Sequence, residues 1–240
     1  MPIPPRFRRL LREGQRALLD VVAPPHCAAC GGFGTELCSA CAHRLVRRRP
    51  PWCRLCGEPL LAESLCQVEH RRIAGLAWAR AAFAYRGAAA DLVHRFKFTR
   101  DAAARAFLIA GLVRCAPGIE SSRRRTIVIS VPLHPRKLRR RGFDQAAMLA
   151  RGLAEGTGLR FVQGVLRRTR ETLPQGDPRV LSRERNVADA FAVARPRRVA
   201  GNTVWLVDDV STSGATARAC AQGLTAAGAR AVGLLVAAWA

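Results

Sequence analysis

The chain has 240 residues, of which 49% are hydrophobic, and a mean hydropathy of +0.01, the balance of a globular protein long enough to bury a core. Forty basic residues against seventeen acidic ones give a net charge of +23, a field that attracts polyanions. The longest apolar tract, Ala231 to Ala240, is half of the roughly 20 residues a membrane-crossing helix needs, so no transmembrane segment is expected.

In chain order, Phe7, Leu10, Leu11, Leu18 and Leu19 recur at helical spacing with arginines between them. This predicts an amphipathic helix that packs its stripe on the protein before Pro24-Pro25 ends it; a membrane-surface helix is the alternative. Arg6, Arg8, Arg9, Arg12 and Glu13 interrupt the apolar core that a signal peptide would need, which predicts a cytoplasmic protein. Nine cysteines in such a compartment point to metal binding rather than to disulfides.

Seven of those cysteines lie between residues 27 and 66, as Cys27-x₂-Cys30, Cys38-x₂-Cys41, Cys53-x₂-Cys56 and then Cys66, with His70 four positions later. Two cysteines separated by two residues form a turn that aims both thiolates at one ion, and four-coordinate zinc takes two such pairs. The simplest partition is Cys27, Cys30, Cys38 and Cys41 for one Zn²⁺ and Cys53, Cys56, Cys66 and His70 for a second. A cross-braced pairing satisfies the spacing equally, and His70 is as readily a surface residue as a ligand. Cys115 and Cys220 stand alone in Ala-rich surroundings and read as small core residues.

From residue 73 the pattern alternates strand and helix. Strands are expected at Ala77 to Tyr85, Thr126 to Val131, Phe161 to Leu166, Val204 to Val207 and from Ala231, and helices at Ala88 to Phe96, Asp101 to Cys115, Phe143 to Gly156 and from Gly214 to Gly228. Such alternation predicts an α/β fold, a parallel sheet with flanking helices and ligands at the carboxyl ends of its strands. The domains are then 1–72, the amphipathic helix and zinc-binding segment, and 73–240, the α/β unit.

After the second strand, Pro132 to Gly142 reads as a Pro-rich turn that delivers Arg136, Lys137, Arg139, Arg140 and Arg141 before the next helix. Those cations suit a pyrophosphate or the backbone of a nucleic acid. The clusters Arg47-Arg48-Arg49, Arg123-Arg124-Arg125 and Arg195 to Arg198 serve a polyanion or are solvated faces. Arg167 to Phe191, with Pro174, Gly176 and Pro178, reads as a long loop.

The richest chemistry lies at Val204-Trp205-Leu206-Val207-Asp208-Asp209-Val210-Ser211-Thr212-Ser213-Gly214-Ala215-Thr216. The helix start offers unpaired amides, Gly214 allows a ligand to approach the main chain, and Thr212, Ser213 and Thr216 add hydroxyl donors, a combination suited to a phosphate. Paired ionised acids match ribose hydroxyls or a Mg²⁺ ion instead. The run resembles the phosphoribosyl pyrophosphate (PRPP) signature of type I phosphoribosyltransferases. That resemblance implies Asp208 and Asp209 as the ribose-binding acids of the catalytic site, Ser211 to Thr216 including Ala215 as the 5′-phosphate loop, and the segment from Pro132 to Gly142 as the pyrophosphate loop.

Taken in order, Pro-Pro-x-Cys, Cys-x₂-Cys-Gly, Phe96-Lys97-Phe98, Arg141-Gly142-Phe143-Asp144-Gln145, Thr172 with Gln175, Arg183 with Arg185-Asn186-Val187, Phe191 and the acid-pair run resemble the ComF family over nearly the whole chain. Two departures stand out: Asp144 where that family has Asn, and His70 where it has a final cysteine. The resemblance implies a type I phosphoribosyltransferase-like domain behind a zinc finger, with Zn²⁺ and, with PRPP, Mg²⁺ as cofactors. It further implies a role in natural transformation or DNA utilisation, with single-stranded DNA and DNA-uptake proteins as partners. A non-catalytic DNA-binding accessory is the alternative to a pentosyl transferase.

Overall fold

Thr126-Ile127-Val128-Ile129-Ser130 carries three β-branched apolar residues in succession, the pattern of a strand covered on both faces. In a computed structural model, which describes residues 24–53, 58–60, 73, 75–118, 123–170 and 190–240, this run is β2 (Thr126–Ser130). It lies within a five-stranded parallel sheet with β1 (Trp78–Ala84), β3 (Arg160–Phe161), β6 (Thr203–Ser211) and β7 (Ala231–Trp239), in the order β1-β7-β6-β2-β3. The pairings place Ser130 opposite Val207 and Asp208 opposite Val236. The two nine-residue strands β6 and β7 therefore occupy the middle, where Val204 to Val207 and Val232 to Ala238 are buried.

Parallel strands need crossovers, supplied here by α2 (Ala88–Thr99) and α3 (Ala102–Cys115) between β1 and β2, α5 (Gln145–Thr157) between β2 and β3, and α6 (Ala215–Ala226) between β6 and β7. Successive residues of a strand face opposite sides, and β6 divides its apolar residues accordingly. Trp205 and Val207 join a core with Leu92, Phe96, Leu108, Leu112 and Leu149, whereas Val204 and Leu206 join one with Cys220, Ala221 and Leu224 of α6. Cys115 and Cys220 are buried, as their Ala-rich settings predict.

The cysteine-rich segment is built into the first of these cores, because Cys27, Ala28, Cys41 and Leu45 belong to it. Its short α1 (Ser39–Arg44) leads to residues 46–48, which pair antiparallel with β1 through Arg48 N–H to Ala82 O at 3.0 Å and Ala84 N–H to Val46 O at 3.0 Å. Asp101 fastens the segment from the other side. It caps α3 by accepting from Ala104 N–H at 2.9 Å, and it also pairs with Arg95 and with His26 Nε2 at 3.2 Å. Burial opposes the charge of Asp101, but the Ala104 amide, Arg95 and His26 together hold its carboxyl below the usual range.

Three elements depart from expectation. Phe161 to Leu166 is not one strand: β3 ends at Phe161, a turn at Gly164 follows, and β4 (Leu166–Arg168) pairs antiparallel with β5 (Phe191–Val193) outside the main sheet. The helix expected from Phe143 begins at Gln145, because the Asp144 side chain accepts from Ala147 N–H at 2.9 Å and fixes the start. Pro135 to Arg141 is a seven-residue helix, α4, rather than a turn, with Pro at its first position and Gly142 closing it at φ 73°. The expected N-terminal amphipathic helix and most of the expected loop after Arg170 lie outside the described residues. Among the described residues no helix is long and apolar enough to cross a membrane.

Candidate functional site

β2 and β6 are neighbours running the same way, so whatever follows each strand converges on one edge of the sheet. β6 runs on through the acids to Ser211, so Asp208 and Asp209 sit within the last turn of pleat rather than in the loop beyond it. Alternation sends them to opposite faces. Asp209 meets the ammonium of Lys97, on α2, at 2.8 Å, in an ion pair whose side chains are only 14% and 20% exposed. Asp208 is sensed on the α6 side, where burial first and then the charge of Asp208 push the Cys220 thiol up.

Burial, and next the neighbouring Asp209 carboxylate, push the Asp208 carboxyl well above the ordinary 3.8, with Lys97 opposing. Asp144 is a third carboxyl at the same place. Burial raises it, the amides of Ala147 and Leu133 oppose that, and the charge of Asp209 raises it further.

After β6, Ser211 is buried, Thr212 and Thr216 are partly exposed and Ser213 is exposed. Ser213 Oγ accepts from Ala215 N–H at 3.4 Å, and α6 opens there with its first amides at the sheet edge. Gly214 is required for another reason than ligand approach. Its φ of 73° is left-handed, and a Cβ there would collide with the Ile73 side chain, so the space beside it is already filled by protein.

After β2, α4 carries the expected cations. Arg136, Arg139 and Arg140 are exposed, Lys137 and Arg141 partly so, and the helix buries none of its residues. His134 Nδ1 caps it by accepting from Arg136 N–H at 3.3 Å. Its far end is held by Arg100, which donates to Arg141 O at 3.4 Å and lies 4.8 Å over the Phe143 ring, while the Arg141 guanidinium lies 5.8 Å over exposed Phe98. Lys97 and Asp144 are thus site residues beyond those the acid-pair motif names. Lys97 stands out in sequence as one of only two lysines among forty basic residues.

At the other end of the chain the structure brings Cys27, Cys30, Cys38 and Cys41 together, every sulfur within 4.8 Å of the others, and so selects the sequential pairing for this set. Cys30 and Cys38 sulfurs are 3.8 Å apart, the edge of a tetrahedron with Zn–S bonds of about 2.3 Å. Backbone amides point at the sulfurs, from Cys38 N–H to Cys27 Sγ at 3.4 Å and from Gly32 N–H to Cys30 Sγ at 3.5 Å. Burial alone would raise the Cys27 thiol, but amides of Cys30, Cys38 and Ala29 bring it down to about 6. The donor set and its spacing fit zinc.

Cys53 is buried, and the bonds around it repeat those around Cys27. Cys27 N–H to Gly32 O at 2.7 Å and Gly34 N–H to Pro25 O at 2.8 Å correspond to Cys53 N–H to Glu58 O at 2.8 Å and Leu60 N–H to Pro51 O at 2.7 Å. The bridges His26 to Phe33 and Trp52 to Pro59 correspond likewise. Cys56, Cys66 and His70 lie outside the described residues.

Residues 18–68 match the double zinc ribbon domain. DNA utilization protein YhgH of Salmonella typhimurium strain LT2 is 35% identical over 208 residues, 82% of this chain and 87% of that protein. YhgH of Escherichia coli K12 is 32% identical over 212 residues, 86% of this chain and 80% of that protein. Competence protein F of Haemophilus influenzae is 30% identical over 131 residues, 52% of this chain and 56% of that protein. Among solved structures, an allosteric regulatory enzyme of purine biosynthesis is 27% identical with a TM-score of 0.37, over 55% of this chain and 25% of that one. The parallel sheet, the acid pair on its central strand and the four-thiol knuckle define an α/β fold that carries a zinc ribbon. Its similarity to the YhgH proteins runs through both parts. The chain belongs to the ComF family.

Proposed function

We propose that the chain binds PRPP together with Mg²⁺ at the edge formed by β2 and β6, and that it serves DNA utilisation as a pentosyl transferase with single-stranded DNA as a partner. The observation that carries this reading is the convergence of three carboxyls, one lysine, the open N-terminus of α6 and the cations of α4 on one sheet edge. Asp208 and Asp209 would hold the ribose diol, Ser211 to Thr216 the 5′-phosphate through amides and hydroxyls, and Arg136, Lys137, Arg139, Arg140 and Arg141 the pyrophosphate. Mg²⁺, a hard cation that takes carboxylate and phosphate oxygens, would neutralise the diphosphate and hold it against the acids. Departure of pyrophosphate from the anomeric carbon leaves positive charge on the ring and negative charge on the leaving group. Fixed acids on one side and fixed cations on the other favour that separation by positioning and electrostatics, without a strong base.

Zn²⁺ at Cys27, Cys30, Cys38 and Cys41, and a second ion at Cys53, Cys56, Cys66 and His70, would fold the N-terminal ribbon, with the domains divided at 72/73. The repeated hydrogen bonds around Cys53 support the second set. The names of the YhgH relatives and of competence protein F support placing the chain in DNA utilisation; a cytoplasmic place beside uptake proteins is part of the proposal. A non-catalytic DNA-binding accessory is favoured by a separate observation, the exposed cations of α4 beside exposed Phe98, which suit a strand backbone and a stacked base.

Calorimetric titration of PRPP with Mg²⁺ into the wild type and into Asp208→Asn/Asp209→Asn separates these readings. The double variant is expected to bind at least about tenfold more weakly, the scale of losing hydrogen bonds to charged groups. Affinity unchanged in the folded variant would remove the site; no PRPP binding by the wild type would leave the accessory reading in its place.

A further inference from the structure

A cavity lies where residues 46–48 meet β1 and α3. It has a volume of 390 Å³, within the range of about 300–1,000 Å³ typical of small-ligand sites, and Arg47, Arg48, Arg49, Trp52, Phe83 and Arg114 line it. Among the described residues, none that lines it is acidic. Four arginines line it, the Arg47 guanidinium lying 5.5 Å over the Phe107 ring, and burial first, then the charges of Arg114 and Arg49, lower the Arg47 pKa from its ordinary value.

Two of the donors are buried and have no partner among the described residues: Arg48 Nε and the indole Nε1 of Trp52. Both residues are held in place. Arg48 pairs through its terminal nitrogen with Glu58, which lines a neighbouring cavity instead, and the Arg80 guanidinium lies 4.5 Å over the Trp52 ring while donating to Cys115 O at 3.1 Å. Like charges are seldom massed around one hollow without a counter-ion, and Glu58 meets only Arg48. What balances the remaining charges is a multivalent oxyanion, acceptor on every side and negative.

We propose that this cavity is a phosphate-binding site, taking the phosphoryl group of a nucleotide or of a nucleic-acid strand, separate from the edge that carries Asp208 and Asp209. Arg47, Arg49 and Arg114, all exposed, supply the charge, while Arg48 and Trp52 form the wall with Phe83 buried beneath them. The volume distinguishes it from an ion site of the size of phosphate alone. The site stands whether or not the chain binds PRPP.

The test uses the full-length, zinc-loaded protein, titrated by calorimetry with inorganic phosphate, with a deoxynucleotide 5′-monophosphate and with a short oligothymidylate. Arg47→Gln/Arg114→Gln changes two exposed side chains, and Trp52→Phe keeps a ring while removing the indole donor. The double variant is expected to weaken monophosphate binding about tenfold and Trp52→Phe to weaken it less, with PRPP affinity and zinc content as in the wild type. Phosphate should also protect Arg47 and Arg114 of the wild type from phenylglyoxal, as mapped by mass spectrometry, which keeps the proposal testable if a variant does not fold. If the strand is the source, oligothymidylate affinity falls in step, and its salt slope flattens by about 0.7 for each phosphate that is no longer neutralised. If only the monophosphate suffers, the source is a free phosphomonoester. Phosphate affinity that neither variant changes, or arginines that phosphate does not protect, would overturn the site.

Discussion

Asp208 holds a carboxyl where the fold does not favour its charge, and the stability consequence follows from the direction of its shift. A carboxyl raised well above 3.8 in the folded state holds its proton more tightly there than in the unfolded chain. Its contribution to stability is therefore lost as pH rises above the unfolded value and restored as pH falls below it. Asp208→Asn, which has no charge to bury, should melt higher than the wild type at pH 7, with the gap closing as pH falls toward 3.8. The same variant should bind PRPP more weakly, the opposition between stability and function found at strained sites. Thermal melts at several pH values in metal-free buffer check this, and a variant melting lower at pH 7 would contradict it. At this scale the sequence shows the acids themselves, because strand, acid pair and hydroxyl loop are contiguous. Lys97 and Asp144 also stand in its motifs, but that they meet the acids follows only from the packing of α2 and the start of α5, and the Ile73 side chain beside Gly214 is not legible at all.

At the scale of elements, strand and helix positions are largely legible in β-branched runs and Ala-rich stretches, and the errors come where signals compete. Pro132 and Pro135 suggest a turn, yet Pro135 at the first helical position and Gly142 after the last are start and stop signals, and they prevail in α4. Phe161 to Leu166 has the composition of one strand, but Gly164 at φ 72° breaks it and β4 turns away to pair with β5. A helix with no buried residue is free to be altered without harm to the core, which makes α4 a clean place to separate the two polyanions. Arg139→Ala/Arg140→Ala/Arg141→Ala should leave the melting temperature close to that of the wild type and weaken PRPP binding. If α4 lies on the DNA path, the salt slope for single-stranded DNA should flatten by roughly two units. Calorimetry with PRPP and fluorescence anisotropy with a labelled strand measure both. Mutual displacement of PRPP and DNA would mean that α4 serves both. Independent binding with only PRPP affected would move the strand to Arg47–Arg49 or Arg195–Arg198.

For the molecule as a whole, the cysteine spacing announces a zinc ribbon, but spacing alone allows two pairings and says nothing of how the ribbon meets the sheet. The structure joins them through one core. Cys27, Ala28, Cys41 and Leu45 pack with Leu92, Phe96 and Leu112, residues 46–48 extend the β1 edge, and Asp101 links His26 to α3. A metal held by four thiolates stabilises a fold by about 10–16 kcal/mol in isolated zinc-finger peptides, because the unfolded chain offers no preformed site. That stabilisation should reach the α/β part, since Cys27 and Cys41 belong to a core shared with it. The protein should purify with one to two zinc ions per chain, as the two cysteine sets require. Exhaustive chelation should lower the melting temperature of the entire chain in a single transition rather than melt the ribbon alone. Metal analysis by mass spectrometry together with calorimetric melting tests it. A folded, monodisperse, metal-free preparation with the original melting temperature would sink the zinc assignment. Two separated transitions, with the second unmoved, would keep the ion and refute the shared core.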